Sequence, residues 1–103
     1  MLVDAYLRMS CAAISGKAFN KAAIRRALIA AGLDRSHGSI EAKFMNCSAA
    51  MADLGYAQLM VPGYKPAPNY QAALRIEISE QLSESFAGLM QVCADRPSAY
   101  LVA

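Results

Sequence analysis

Apolar residues in the middle of the chain recur four and three positions apart, at Ile40, Phe44, Cys47, Met51 and Leu54. This spacing places all of them on one face of an α-helix, whereas a half-buried strand would alternate at every second position. Ser36 and Ser39 can each cap the start of such a helix, and Gly55 suits the position after its end. The sequence therefore predicts a helix from Ser36 or Ser39 to Leu54 whose apolar face must be covered by other elements.

Three further segments have helical patterns, at about residues 3–14, 21–31 and 70–93. Asn20 suits the N-cap of the second helix and Asn69 that of the fourth, which Pro97 would end. The connection at residues 56–69 contains three prolines, which exclude a helix there. No segment alternates like a strand, so we expect an all-α fold, a compact four-helix, helix-turn-helix-like bundle that forms a single domain over residues 1–103.

The amino-acid composition and the distribution of apolar residues exclude several classes of protein. The chain has 103 residues, of which 56% are hydrophobic and 17% are charged. This balance excludes intrinsic disorder and suits one domain with one core. No apolar run reaches the roughly 18 residues of a membrane span. Asp4 and Arg8 interrupt the N-terminal stretch where a secretory signal would be apolar. We therefore expect a cytoplasmic protein with no membrane partner.

The cysteines Cys11, Cys47 and Cys93 are widely spaced among apolar neighbours. The chain has no CxxC pair and a single histidine, so the ligands of a zinc site are missing. We expect three buried free thiols in a reducing compartment, no metal and no cofactor.

The histidine, His37, lies in a polar turn between Asp34 and Glu41. A hydrolytic triad needs a nucleophile with a partnered base, and a His-based nuclease needs further histidines or acidic metal ligands. The three residues are more typical of a solvent-exposed turn with a side-chain pair one helical turn apart. Since a glycine-rich phosphate loop is also missing, we expect a protein that is not an enzyme.

Charge is distributed unevenly along the chain. Residues 1–66 hold eight basic and four acidic residues, whereas residues 67–103 hold two basic and four acidic ones. A basic front half suits an anionic partner. The second and third helices, joined by a short turn, resemble a helix-turn-helix in outline. Arg25 and Arg26, on the outward side of the second helix, are predicted to contact phosphate or base.

The start of the third helix carries polar residues that suit nucleic acid. Arg35, supported by the hydroxyls of Ser36 and Ser39, suits a phosphate at a helix N-terminus. Lys43 and Asn46 project to the same side, and these residue types pair with the edges of guanine and adenine. A solvated polar helix would carry the same residues.

The proline-limited segment at residues 62–71 offers Tyr64 and Lys65. An aromatic ring can stack on a base and a lysine can hold a phosphate, so both residues are candidate nucleic-acid contacts. A packing loop would use the tyrosine differently, because its ring would then cover the core. The sequence leaves these two interpretations open.

Several strings together carry a family resemblance: Asn20-Lys21, Arg25-Arg26-Ala27-Leu28, residues 35–46, Leu54-Gly55, Gly63-Tyr64-Lys65-Pro66 and Asn69-Tyr70-Gln71. Over about residues 2–75 the chain resembles the helical module that precedes HNH-endonuclease or other defence-associated domains in bacterial restriction-type proteins. It differs at Phe44 and Met45, where the module has His-Gln, and at Cys47, where the module has an aliphatic residue. The resemblance implies a role on DNA, with function residing mostly in the partner domain.

The sequence therefore predicts a non-catalytic DNA-binding or DNA-positioning module of a bacterial restriction or defence protein. The predicted contacts are Arg25, Arg26, Arg35, Ser36, Ser39, Lys43, Asn46, Tyr64 and Lys65. The alternative is a protein-interaction or dimerisation module that binds no nucleic acid, because the first helix is apolar on two faces. Val3, Leu7 and Ile14 would face another copy in a homodimer, unless the helix is central to its own bundle.

Overall fold

A computed structural model of the chain describes residues 1–86. Its elements are α1 (Leu2–Ile14), α2 (Lys21–Ala30), α3 (His37–Asp53), a 3₁₀ turn (Ala57–Leu59), α4 (Ala72–Gln81) and a π-helical turn (Leu82–Phe86) that continues α4. Within the described residues there is no strand. The predicted all-α, four-helix fold is therefore confirmed.

The central element is α3, which packs against α1, α2, α4 and the 3₁₀ turn. Its predicted apolar face is buried, with no exposed area at Ile40, Phe44, Cys47 or Met51, while Leu54 is half-buried at the end of the helix. Because neighbours cover α3 on several sides, burial extends beyond that face to Ser48, Ala49 and Ala50.

α1 is likewise buried by this chain itself. Val3 and Leu7 on one face, and Tyr6 and Met9 on the other, all belong to the core of the bundle. Of the two alternatives for α1, the structure therefore favours the one in which the helix is central to its own bundle. Ile14, at 43% exposure, is the residue of the predicted homodimer face that solvent still reaches.

Buried hydrogen bonds fasten the connection after α3 to the core. The hydroxyl of Tyr6 lies 2.7 Å from Ser48 Oγ and accepts a hydrogen bond from the backbone N–H of Val61 at 3.0 Å. Ser10 Oγ donates to the carbonyl of Leu59. Tyr6 thus joins α1, α3 and the connection, and satisfies polar groups that burial would otherwise leave unpaired.

Two of the helices begin directly after a residue whose side chain caps the first turn. The side chain of Asn20 accepts from Ala23 N at 2.9 Å, as predicted for α2. The side chain of Ser36 accepts from Ser39 N at 3.1 Å, which settles the start of α3 in favour of Ser36. α4 begins at Ala72 instead of residue 70, after Gln71, which makes no side-chain cap.

Several predictions for the C-terminal part fall beyond the described range. They are the continuation of α4 to Cys93, its end at Pro97 and the thiol state of Cys93, all of which lie outside residues 1–86. Within that range, no helix is both long enough and apolar enough to cross a bilayer.

The described cysteines differ in state. Cys47 is a buried free thiol, as predicted, and burial, with a smaller contribution from the charge of Glu77, raises its pKa to about 12. Cys11 is also buried, but it is disulfide-bonded. The prediction of three free thiols is therefore wrong for Cys11. This cysteine no longer supports the expectation of a reducing compartment.

Candidate nucleic-acid interface

The first turn of α3 is built from three of the predicted contact residues. Ser36 Oγ accepts from the backbone N–H of Ser39, and Arg35 Nη1 donates to Ser39 Oγ at 3.1 Å. Arg35 itself is exposed. These hydrogen bonds position the Arg35 guanidinium beside the positive end of the α3 dipole, where an anion is stabilised.

A depression of about 280 Å³ lies next to this turn, between α3 and α4, and is also lined by Leu2 and Val3 of α1. Its polar lining consists of Arg35, Lys43, Gln71 and Glu77. Arg35 precedes α3 and Lys43 lies about two helical turns further along, and both side chains line the same depression. The fold thus brings two predicted cations together and adds one carboxylate, that of Glu77.

Arg25 is held by acidic and neutral partners inside the molecule. Its Nη1 forms an ion pair with Glu41, and its Nε donates to His37 Nδ1 at 3.4 Å. The Arg25 side chain is 18% exposed. The guanidinium therefore joins α2 to α3 and its charge is balanced locally. Arg26, the next residue, is exposed to solvent.

Asn46 holds the proline-containing segment against α3. Its Nδ2 donates to the carbonyl of Ala67 at 2.8 Å and to that of Asn69 at 3.4 Å. The backbone N–H of Ala67 in turn donates to the carbonyl of Met45 at 3.0 Å. The side-chain amide predicted to pair with adenine is thus engaged with the protein backbone.

Tyr64 belongs to the core. It is 3% exposed, and its ring centroid lies 5.2 Å from that of Phe44. Lys21 Nζ lies 4.4 Å from the centroid of the Tyr64 ring and donates to the carbonyl of Pro62 at 2.8 Å. Burial raises the pKa of the Tyr64 hydroxyl; nearby Glu41 adds to the rise. Of the two interpretations of this segment, the one that fits Tyr64 is the packing loop, in which its ring covers the core.

Gly63 is the one residue of this loop whose identity the geometry dictates. Its φ is +89°, a left-handed conformation that residues with a side chain rarely adopt. A Cβ at this position would also collide with the ammonium group of Lys21. The neighbouring Lys65 is exposed.

The candidate catalytic residues do not form a recognisable active site in the described range. His37 is exposed, with Arg25 Nε against its Nδ1. Within residues 1–86, no group of three or more His, Cys, Asp or Glu side chains is arranged to hold a metal ion. The arrangement suits charge pairing between α2 and α3.

No protein-family model matches the chain, and no curated protein or solved structure matches it. The resemblance to the restriction-associated module therefore stays a prediction. Function has to be argued from the chemistry of the surfaces themselves.

Two lining residues of the depression, Gln71 and Glu77, were missed from the sequence. Gln71 directly precedes α4 and Glu77 lies in it. Both are far along the chain from Arg35 and Lys43, and no local spacing relates them. Finding them would have required the way in which α4 packs on α3. The periodicity of apolar residues does not give the orientation of one helix against another.

Proposed function

We propose that this chain is a non-catalytic DNA-binding or DNA-positioning module, working in the bacterial cytoplasm as part of a restriction or defence system. The observation that supports it most directly is the convergence of Arg35 and Lys43 on one open depression beside the first turn of α3. The family resemblance of residues 2–75 supplies the biological context of the proposal.

Phosphate is the group that this surface suits. A guanidinium and an ammonium complement phosphate oxygens, and the amino end of α3 adds the positive end of a helix dipole. Arg26 and Lys65 are exposed cations outside the depression and stay candidate phosphate contacts. Glu77 lies in the same depression and weakens the attraction, so we expect modest affinity that depends strongly on salt.

The proposal predicts that wild-type protein binds a labelled duplex at about 50 mM salt, a range in which phosphate contacts are strong. Arg35→Ala combined with Lys43→Ala should weaken binding by at least about tenfold, because a hydrogen bond to a charged group contributes about 1.5–3 kcal/mol. Fluorescence anisotropy measures the affinity, and circular dichroism should show unchanged helix content.

Arg8→Ala is the matched control, since Arg8 is an exposed cation of α1 whose guanidinium pairs with Asp4 and does not line the depression. Its affinity for the duplex should stay within about twofold of wild type, because the ion pair already neutralises Arg8. Failure of the wild-type protein to bind any duplex or single strand at low salt would reject the proposal.

A second candidate function is a protein-interaction or dimerisation module. An open groove of about 510 Å³ runs between α1 and α2. Apolar side chains make up most of its lining, including Met9, Phe19, Ile24 and Leu28. This groove, and not the buried face of α1 with Val3 and Leu7, is the observation that favours the second candidate. A second copy of the chain is the occupant we consider.

A further inference from the structure

α3 is too enclosed to lie along a DNA groove. A recognition helix presents a whole face to base edges in the major groove. Here α1, α2, α4 and the 3₁₀ turn all pack on α3, and its residues 47–51 are buried without interruption. Exposed positions lie in its N-terminal half, at His37, Gly38 and Ala42, and at its last residue, Asp53. α3 can therefore approach a nucleic acid with its N-terminal half but not along its whole length.

The groups best suited to read or stack on bases are engaged elsewhere. The Asn46 amide donates to the carbonyls of Ala67 and Asn69. The Tyr64 ring is buried against Phe44. Base contacts carry sequence information, whereas phosphate contacts set position and orientation. With the Asn46 amide engaged and the Tyr64 ring buried, the exposed cations have the chemistry of contacts to the phosphate backbone.

We infer that the α3–α4 depression binds the phosphate backbone of duplex DNA at the N-terminal half of α3, through Arg35 and Lys43, without reading base sequence. This inference rests on the proposed DNA-binding function and specifies its ligand. Arg35 would contact one phosphate beside the first turn of α3, and Lys43 a neighbouring one. Glu77 is the repulsive group of the same site, because its carboxylate lines the depression that the phosphates approach.

The first test compares duplexes of equal length and different sequence, AT-rich, GC-rich and mixed, by competition in fluorescence anisotropy. We expect affinities within about threefold of one another. Log affinity should fall with log salt with a slope of about −1.8, since each neutralised phosphate contributes about −0.9. A preference above about a hundredfold for one selected sequence, lost in Asn46→Ala, would overturn the inference and leave DNA binding intact.

The second test uses Glu77→Gln, which removes the carboxylate and keeps the size of the side chain. Duplex binding should become several-fold tighter at low salt, and the gain should shrink as salt screens the charges. Glu80→Gln is the control, because Glu80 is also exposed on α4 but does not line the depression.

The outcomes separate the two claims. Tighter binding by Glu77→Gln than by Glu80→Gln supports the depression as the phosphate site. Equal effects of the two variants on a protein that does bind DNA would overturn the site and the inference together. Absence of any binding by the wild-type protein rejects the DNA-binding function itself.

Discussion

Phe44 is the residue at which the separate elements of the core meet. Its ring centroid lies 6.1 Å from that of Tyr6 in α1 and 5.2 Å from that of Tyr64 in the loop. Tilted aromatic pairs at such distances contribute about 0.5–1.5 kcal/mol each beyond the area that they bury. Phe44 thus links α3 to both its sequence-distant neighbours.

Phe44→Ala should destabilise the fold by about 3–5 kcal/mol, because it leaves a cavity and removes both ring contacts. For a domain of this size, the thermal midpoint should fall by more than about 10 °C. Thermal unfolding followed by circular dichroism measures the change. Tyr56→Ala is the control, since Tyr56 is 40% exposed, and its midpoint should fall far less. Equal midpoints for both variants would contradict the central position of Phe44.

The elements of the fold were predicted with unequal success, for physical reasons. α2 and α3 were placed almost correctly because Asn20, Ser36 and Gly55 mark ends that local chemistry fixes. The 3₁₀ turn at Ala57–Leu59 was missed because three residues are too few to show a periodic pattern of apolar positions. α4 starts later than predicted, at Ala72, and Asn69 lies in the segment before it with its carbonyl accepting a hydrogen bond from Asn46.

The candidate site was predicted in part for the same reason. Arg35 and Lys43 were predicted at the start of the third helix, and they line one depression there. Asn46 was assigned to the surface and the position of Tyr64 was left open, because nothing in their neighbourhood in the sequence shows their partners. The carbonyl that Asn46 contacts lies 21 positions away, in Ala67. Packing between residues far apart in the sequence decides whether such a side chain is free to contact a nucleic acid or holds two parts of the fold together.

At the element scale, Asn46→Ala should loosen the loop that carries Ala67 and Asn69. Loss of the hydrogen bonds leaves carbonyl groups without their donor, which costs about 1–3 kcal/mol. Urea unfolding should show this loss, whereas affinity for mixed-sequence duplex at low salt should stay within about twofold. Gln58→Ala, at an exposed amide of the 3₁₀ turn, is the control for stability. Unchanged stability with weakened DNA binding would instead place Asn46 at the interface.

At the scale of the whole molecule, two concave surfaces formed by residues 1–86 differ in their chemistry. The depression between α3 and α4 carries Arg35, Lys43 and Glu77, whereas the groove between α1 and α2 is mainly apolar. Among the described residues, the two surfaces share no lining residue. A second copy in the apolar groove would therefore leave the charged depression open, so dimerisation and phosphate binding are separable by mutation.

Ala27→Glu is the variant that tests the groove. It places a carboxylate among apolar lining residues of the groove, and burying that charge against a partner is costly. Ala30→Glu adds the same charge to an exposed position of α2 outside the groove. If a second copy occupies the groove, light scattering should give twice the 11.0 kDa monomer mass for wild type and Ala30→Glu, and the monomer mass for Ala27→Glu. A wild-type monomer across a roughly hundredfold dilution series at micromolar concentrations would exclude the dimer, because an interface too weak to form there supports no stable assembly. Duplex affinity of the two variants should be equal in either case, since both carry the same added charge and neither changes Arg35 or Lys43.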